Sequence, residues 1–333
     1  MASLWGWHTS ALTGISFLGM IIGAVIVLLL ILGIVSYLIY FERKVIGWMQ
    51  GRIGPNRVGP FGLLQSVADI FKLLIKEDVI PTNADRALFL LAPVVAFVPS
   101  FMVLAVIPFT ATHYFTAGLN VGVLYYIALS SITILGIVMA GWASNNKYSL
   151  LGGMRSAAQM ISYEIPLGLS LLGVIMLSGS LNLNQIVAAQ NYGHVWFIIP
   201  QIIGFVVFVI SGIAELNRTP FDLPEAESEL VAGYFTEYSG FRFAFFMLAE
   251  YVYVFAISAL ATTMFLGGWS GPFLPSWLWF AIKVSACIFF LFWVRATMPR
   301  IRGDQLMGFA WKVLIPVALF NILLTGAIYE IHL

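Results

Sequence analysis

Six of the 15 acidic residues of this chain fall within 26 positions: Glu215, Asp222, Glu225, Glu227, Glu229 and Glu237, in the stretch AELNRTPFDLPEAESELVAGYFTEYSG. Apolar runs flank the stretch on both sides. Two further carboxylates, Glu164 in RSAAQMISYEIP and Glu250 in FFMLAEY, stand about seven residues inside apolar runs of their own. A carboxylate left ionised and unpaired in lipid costs a few kcal/mol, so each should face protein, pair with a base or hold a proton. Groups that can be charged or neutral inside a membrane are the usual material of proton relays. Lys283 and Lys312 lie at comparable depth, but their long stems can carry the ammonium to an interface, which a glutamate cannot match.

Composition defines the scaffold for these charges. Of the 333 residues, 61% are hydrophobic and 9% charged, against about 25% charged in soluble domains. The chain therefore reads as one polytopic membrane domain over residues 1–333, an all-α helical bundle. Eight apolar runs are long enough to cross a bilayer: 15–40, 87–108, 121–141, 157–178, 195–214, 243–266, 276–296 and 306–328. The alternating pattern of a membrane barrel is absent. The N-terminal stretch has no basic region or small-residue cleavage site, and its apolar run of about 26 residues exceeds a signal-peptide core. It is expected as a retained first span. A formal net charge of +1 gives no surface for nucleic acid.

Basic residues set the orientation. Fourteen of the 16 Lys and Arg fall in the first, third, fifth and seventh connections, among them Arg43, Arg52, Arg155, Arg218, Arg242, Arg295 and Arg300. The even connections hold none. Odd connections are thus expected on the cytoplasmic side and both termini opposite. The first connection, 41–86, contains Gln65, Asp69, Lys72 and Lys76 on one face and Leu64, Val67, Ile70, Phe71, Leu74 and Ile75 on the other. That is an amphipathic surface helix. The fifth connection is the acidic loop, 215–240.

Redox and metal chemistry find few ligands here. The single Cys287 excludes an iron–sulfur cluster held by this chain's own cysteines. His8, His113, His194 and His332 all fall on or near the far side, so no pair within the spans could hold haem. No metal site is expected. GRIGPNRVG lacks the spacing of a nucleotide fingerprint and reads as a turn. Prolines 93, 99, 166, 200 and 316 fall within expected spans, Pro166 two residues after Glu164. No internal repeat is visible, and charge is concentrated in the first and fifth connections, unlike the two similar halves of many secondary transporters.

Four stretches carry a resemblance: ERKVIGWMQGRIGPNRVGPFGLLQSVADIFKLLIKED at 42–78, WASNNKYSLLGGMRSAAQMISYEIP at 142–166, the acidic stretch at 214–240, and RATMPRIRGDQLMGFAWKVLIP at 295–316. Together they resemble the quinone-channel membrane subunits of respiratory complex I, the proton-translocating NADH:quinone oxidoreductase. Gly303 departs from the pattern, where tyrosine would be expected. The resemblance implies a subunit of that enzyme, lying beneath its hydrophilic arm, that forms a chamber for quinone as substrate. FMN and the iron–sulfur clusters would sit in partner subunits and none on this chain. Partners would be the hydrophilic quinone-site subunits, the small and antiporter-like membrane subunits, and the lipid of a bacterial inner membrane or an equivalent energy-coupling membrane.

By the same resemblance the chamber would be lined by Arg43, Arg52, Asp69, Glu225, Glu227 and Glu229. A proton relay would run through Glu215, Arg218, Asp222, Tyr163, Glu164 and Glu250, with Glu42, Arg155, Arg295 and Arg300 as charge partners. Two other readings stay open at this point. One is a related membrane subunit of a hydrogenase or a ferredoxin- or F420-linked complex. The other is a stand-alone transporter using Glu164 and Glu250.

Overall fold

A computed structural model describes residues 17–110, 119–193, 195–223 and 231–332. Glu225, Glu227 and Glu229, together with His8, His113 and His194, lie outside the described residues. The described residues form helices and no strand. In lipid this is the state in which one segment satisfies its own backbone groups.

The helices are α1 (Phe17–Met49), α2 (Gln65–Ile75), α3 (Arg86–Met102), α4 (Gly122–Ala143), α5 (Lys147–Ser178), α6 (Leu183–Tyr192), α7 (Ile202–Glu215), α8 (Gly240–Phe265), α9 (Ser276–Thr297), α10 (Gly303–Phe309) and α11 (Ile315–His332). A π-helical turn, Ala310–Leu314, joins α10 to α11. A helix stands at each of the eight expected spans. Six are long and apolar enough to cross a membrane, counting α10 and α11 as one; α1 is 33 residues long, and α7 is apolar but has only 14.

Where boundaries moved, local chemistry explains the shift. The fourth span begins ten residues early because Asn146 caps it, its side chain accepting from Tyr148 N at 2.9 Å. The fifth is shorter than its apolar run. Pro200 has no amide hydrogen to give, and buried Gln201 turns its side chain to Asn321 and Thr325 at 2.7 and 2.6 Å. Helix α6 was not anticipated; Asn182 caps it in the same way, accepting from Asn184 N at 3.0 Å.

Helix α8 runs through the middle, with 67% of its apolar window buried, against 28% for α9 and for α10–α11. Around it, α5 packs on α4, α7 and α11, α3 packs on α4 and α8, and α1 packs on α9. Absent side chains allow two of the close approaches. A Cβ on Gly136 would stand 2.6 Å from Ala96 N, and one on Gly152 would stand 2.7 Å from Gly233 Cα. The second contact seats the end of the acidic loop on α5.

The surface helix α2 is tied to α1, since Ser66 donates to Ser36 O at 2.9 Å and Tyr40 to Phe61 O at 2.7 Å. Val67, Phe71 and Leu74 stay exposed, as a helix lying at a membrane surface requires. The C-terminal end of the acidic loop is fastened on three sides. Asn146 donates to Glu237 at 2.6 Å, Tyr238 stacks on Phe89 with centroids 4.1 Å apart, and Arg242 pairs with Asp78 at 3.0 Å.

Candidate functional site

Helix α7 ends at Glu215, and the chain then turns sharply, with Asn217 in the left-handed region at φ 52°. Asparagine tolerates that conformation better than most residues. The turn is held from the side by Gln159 of α5, whose amide donates to Ala214 O at 2.7 Å and to Phe221 O at 2.6 Å. Its effect is to direct Arg218 inward, where the side chain is only 5% exposed.

Arg218 joins two helices. Its Nη1 donates to Glu42 of α1 at 2.8 Å and its Nε to Glu250 of α8 at 2.6 Å. Arg295 of α9 donates to the other oxygen of Glu42. The guanidinium carbon lies 4.5 Å from the ring centroid of Tyr251 and 5.6 Å from that of Phe292. A buried charge is tolerable only when paired and hydrogen-bonded; the two carboxylates do this through Nη1 and Nε, the rings add cation–π attraction, and Nη2 is buried without a hydrogen-bond partner. Burial alone would lower the proton affinity of Arg218, but Glu250 and Glu42 more than reverse this, so it stays charged.

Next to this network is a cavity of about 40 Å³ whose polar lining is Glu215, Glu250, Asn217, Ser130, Thr133 and Tyr253. Oε2 of Glu215 and Oδ1 of Asn217 are buried with no protein hydrogen-bond partner. The volume is enough for a few water molecules by the usual ~10–15 Å³ per probe sphere, and the polar partners are present. Glu164 of α5 accepts a hydrogen bond from Ser131 of α4, the neighbour of Ser130.

The other expected residues fall in separate places. Arg43 pairs with Asp69 at 2.6 Å where α1 meets α2, and Gln65 also donates to Asp69 at 3.0 Å. Arg52 is exposed and donates to Gln50 at 2.6 Å. Arg300 donates to the backbone carbonyl of Asp222, and Arg155 is exposed on α5. Tyr163 is fully buried on the other side of α5, where its hydroxyl donates to Leu306 O at 2.9 Å and its ring packs 5.5 Å from Phe221. The structure thus brings together Glu42, Arg218, Glu250 and Arg295, with Glu215 beside them, and leaves Tyr163 and Arg52 apart.

Several residues of the site were not singled out from sequence: Gln159, Asn217, Tyr251, Phe292, and the hydroxyls of Ser131, Thr133 and Tyr253. The signal available for the hydroxyls was the run SSIT at 130–133 inside an apolar span. Lys283 donates to the carbonyls of Leu266, Gly268 and Ser270 at 2.6, 3.1 and 2.6 Å, in the connection between α8 and α9. Lys312 is exposed on the π-helical turn. Among the described residues, no group of three or more His, Cys, Asp or Glu side chains is arranged to hold a metal ion.

Comparison with known proteins gives consistent matches. The NADH dehydrogenase family matches residues 22–326. The H subunit of NADH-quinone oxidoreductase from Brevibacillus brevis is 66% identical over 313 residues, 92% of each chain. The proteins of that name from Bacillus mycoides and Bacillus thuringiensis are 65% identical over 313 residues, 92% of this chain and 93% of theirs.

Proposed function

The chain belongs to the family of NADH-quinone oxidoreductase H subunits, membrane components of complex I, and we propose that it forms the quinone-binding chamber there and links quinone reduction to proton translocation through its buried charges. The observation that carries this reading is the continuity of the Glu42, Arg218 and Glu250 network with the cavity that holds Glu215.

In this reading the polar ends of α1 and α2, with Arg43, Arg52 and Asp69, face the quinone headgroup together with the acidic loop at Glu225, Glu227 and Glu229. Electrons arrive from FMN and iron–sulfur clusters held by partner subunits, and this chain carries no redox centre. Reduction of a quinone takes up protons as well as electrons. Carboxylates of a low-dielectric chamber change their charge when protons are drawn from them. Arg218 stays charged, so a change at Glu250 alters how strongly it is held by Glu42. Glu215, Asp222 and Glu164 continue the route inward, with Arg155, Arg295 and Arg300 as charge partners, while Tyr163 stands off it with its hydroxyl on Leu306 O. The chain sits in a bacterial inner membrane or an equivalent energy-coupling membrane, odd-numbered connections cytoplasmic and termini opposite. It meets the hydrophilic quinone-site subunits on one side and the small and antiporter-like subunits within the bilayer.

The test is Glu215→Gln in the assembled complex. Quinone reduction and proton translocation are measured, and NADH oxidation by a hydrophilic artificial acceptor serves as control for an intact hydrophilic arm. The expected result is loss of the first two with the third retained. Wild-type quinone reduction and translocation would overturn the reading.

A further inference from the structure

Thr133 of α4 and Tyr253 of α8 face each other across the inner part of the cavity, their hydroxyl oxygens 2.5 Å apart. Either oxygen can be the donor. Both hydroxyls also lie 3.3 Å from the carbonyl oxygen of Leu129. The pair therefore has two arrangements of equal bonding. In one, Tyr253 donates to Thr133 and Thr133 to Leu129 O; in the other, Thr133 donates to Tyr253 and Tyr253 to Leu129 O. Neither leaves a hydroxyl hydrogen unsatisfied in a site with almost no solvent access.

The surroundings of the pair are carboxylates. Glu215 and Glu250 line the same cavity.

We propose that the Thr133 and Tyr253 hydroxyls form a proton-relay pair between the two cavity carboxylates, Glu215 and Glu250. A proton from one carboxylate binds a lone pair of one hydroxyl, that hydroxyl passes its own hydrogen to the other, and the other releases its hydrogen across the cavity to the second carboxylate, so each hydroxyl ends neutral. Resetting needs only rotation of the two O–H bonds, with Leu129 O accepting whichever hydrogen is turned away. This role rests on the proposed link between quinone reduction and proton movement.

The experiment compares Thr133→Val, Thr133→Ser and Tyr253→Phe in the assembled complex, with Glu215→Gln alongside. Val keeps the volume of Thr without the hydroxyl, and Ser keeps the hydroxyl. The expected result is a fall of about tenfold or more in proton translocation and coupled quinone reduction for Val and Phe, near wild-type behaviour for Ser, and NADH oxidation by a hydrophilic acceptor unchanged. The solvent deuterium isotope effect on quinone reduction rises in Val and Phe. A clamp that only held α4 to α8 would change stability and leave the isotope effect alone. Wild-type translocation and isotope effect in Thr133→Val, with Glu215→Gln impaired, overturns the pair alone. If Glu215→Gln is also unimpaired, the underlying reading falls and the pair with it. Should Tyr253→Phe fail to assemble, the Val and Ser variants of Thr133 decide the question.

Discussion

Arg218 Nη1 donates to Glu42 Oε2 at 2.8 Å although 176 positions separate the two residues in the chain. The contact exists because α1 and the turn after α7 both meet α8 and α9. The stabilisation from the raised proton affinity of Arg218 is fully present below the ordinary arginine pKa, hence throughout the physiological range. Any pH dependence of the network must then come from its carboxylates.

Glu42 and Glu250 should differ in what they do for stability. Glu42 accepts from both Arg218 and Arg295, whereas Glu250 accepts from Arg218 alone. Glu42→Gln leaves two guanidinium groups with one carboxylate and should destabilise the subunit by about 3–5 kcal/mol, as breaking a buried pair does. Glu250→Gln leaves Arg218 paired and should do less. Thermal inactivation of the purified complexes reads the difference, and equal loss in both would contradict the sharing of Glu42.

Replacing Glu164 by Gln keeps the shape and a bond to Ser131 but removes the titratable proton. Proton translocation and quinone reduction should both drop while the complex assembles. Normal values for both would remove Glu164 from the route.

Gln159 carries no charge, yet it should matter for activity. Gln159→Leu leaves the carbonyl of Phe221 without its side-chain donor, at a cost of about 1–3 kcal/mol, while that of Ala214 keeps the Asn217 N–H at 3.1 Å. The turn that aims Arg218 should loosen, and quinone reduction should fall more than NADH oxidation by a hydrophilic acceptor. Unchanged activity would show that the turn holds its shape without this residue.

A fixed positive charge on the proposed chamber floor tests the acidic loop. Glu227→Lys should impair quinone reduction while NADH oxidation by a hydrophilic acceptor continues. Loss of both activities in a fully assembled complex would place Glu227 elsewhere.

The membrane bundle and the surface helix were legible in the sequence because both depend on local quantities, the length of apolar runs and the spacing of polar residues around a helix. Boundaries were less so. The apolar run from residue 195 does not show that Pro200 and Gln201 hold its first part as turns, since the partners of Gln201 are Asn321 and Thr325. Gly303 also reads differently in three dimensions. A Cβ there would meet Leu223 at 3.5 Å, ordinary contact, so the local geometry does not demand glycine.

The sequence by itself determined which residues carry charge into the membrane, because a carboxylate among apolar residues is visible without knowing its neighbours. Tertiary structure alone decided who their partners are. Arg218 reads as a loop cation until α1, α8 and α9 close around it, and Tyr163 reads as the neighbour of Glu164 until the helix turns its hydroxyl to Leu306. Successive residues on a helix point about 100° apart, so adjacency in the chain separates side chains that only packing can bring together. The Thr133 and Tyr253 pair lies 120 positions apart in the chain, and no spacing rule reaches that far.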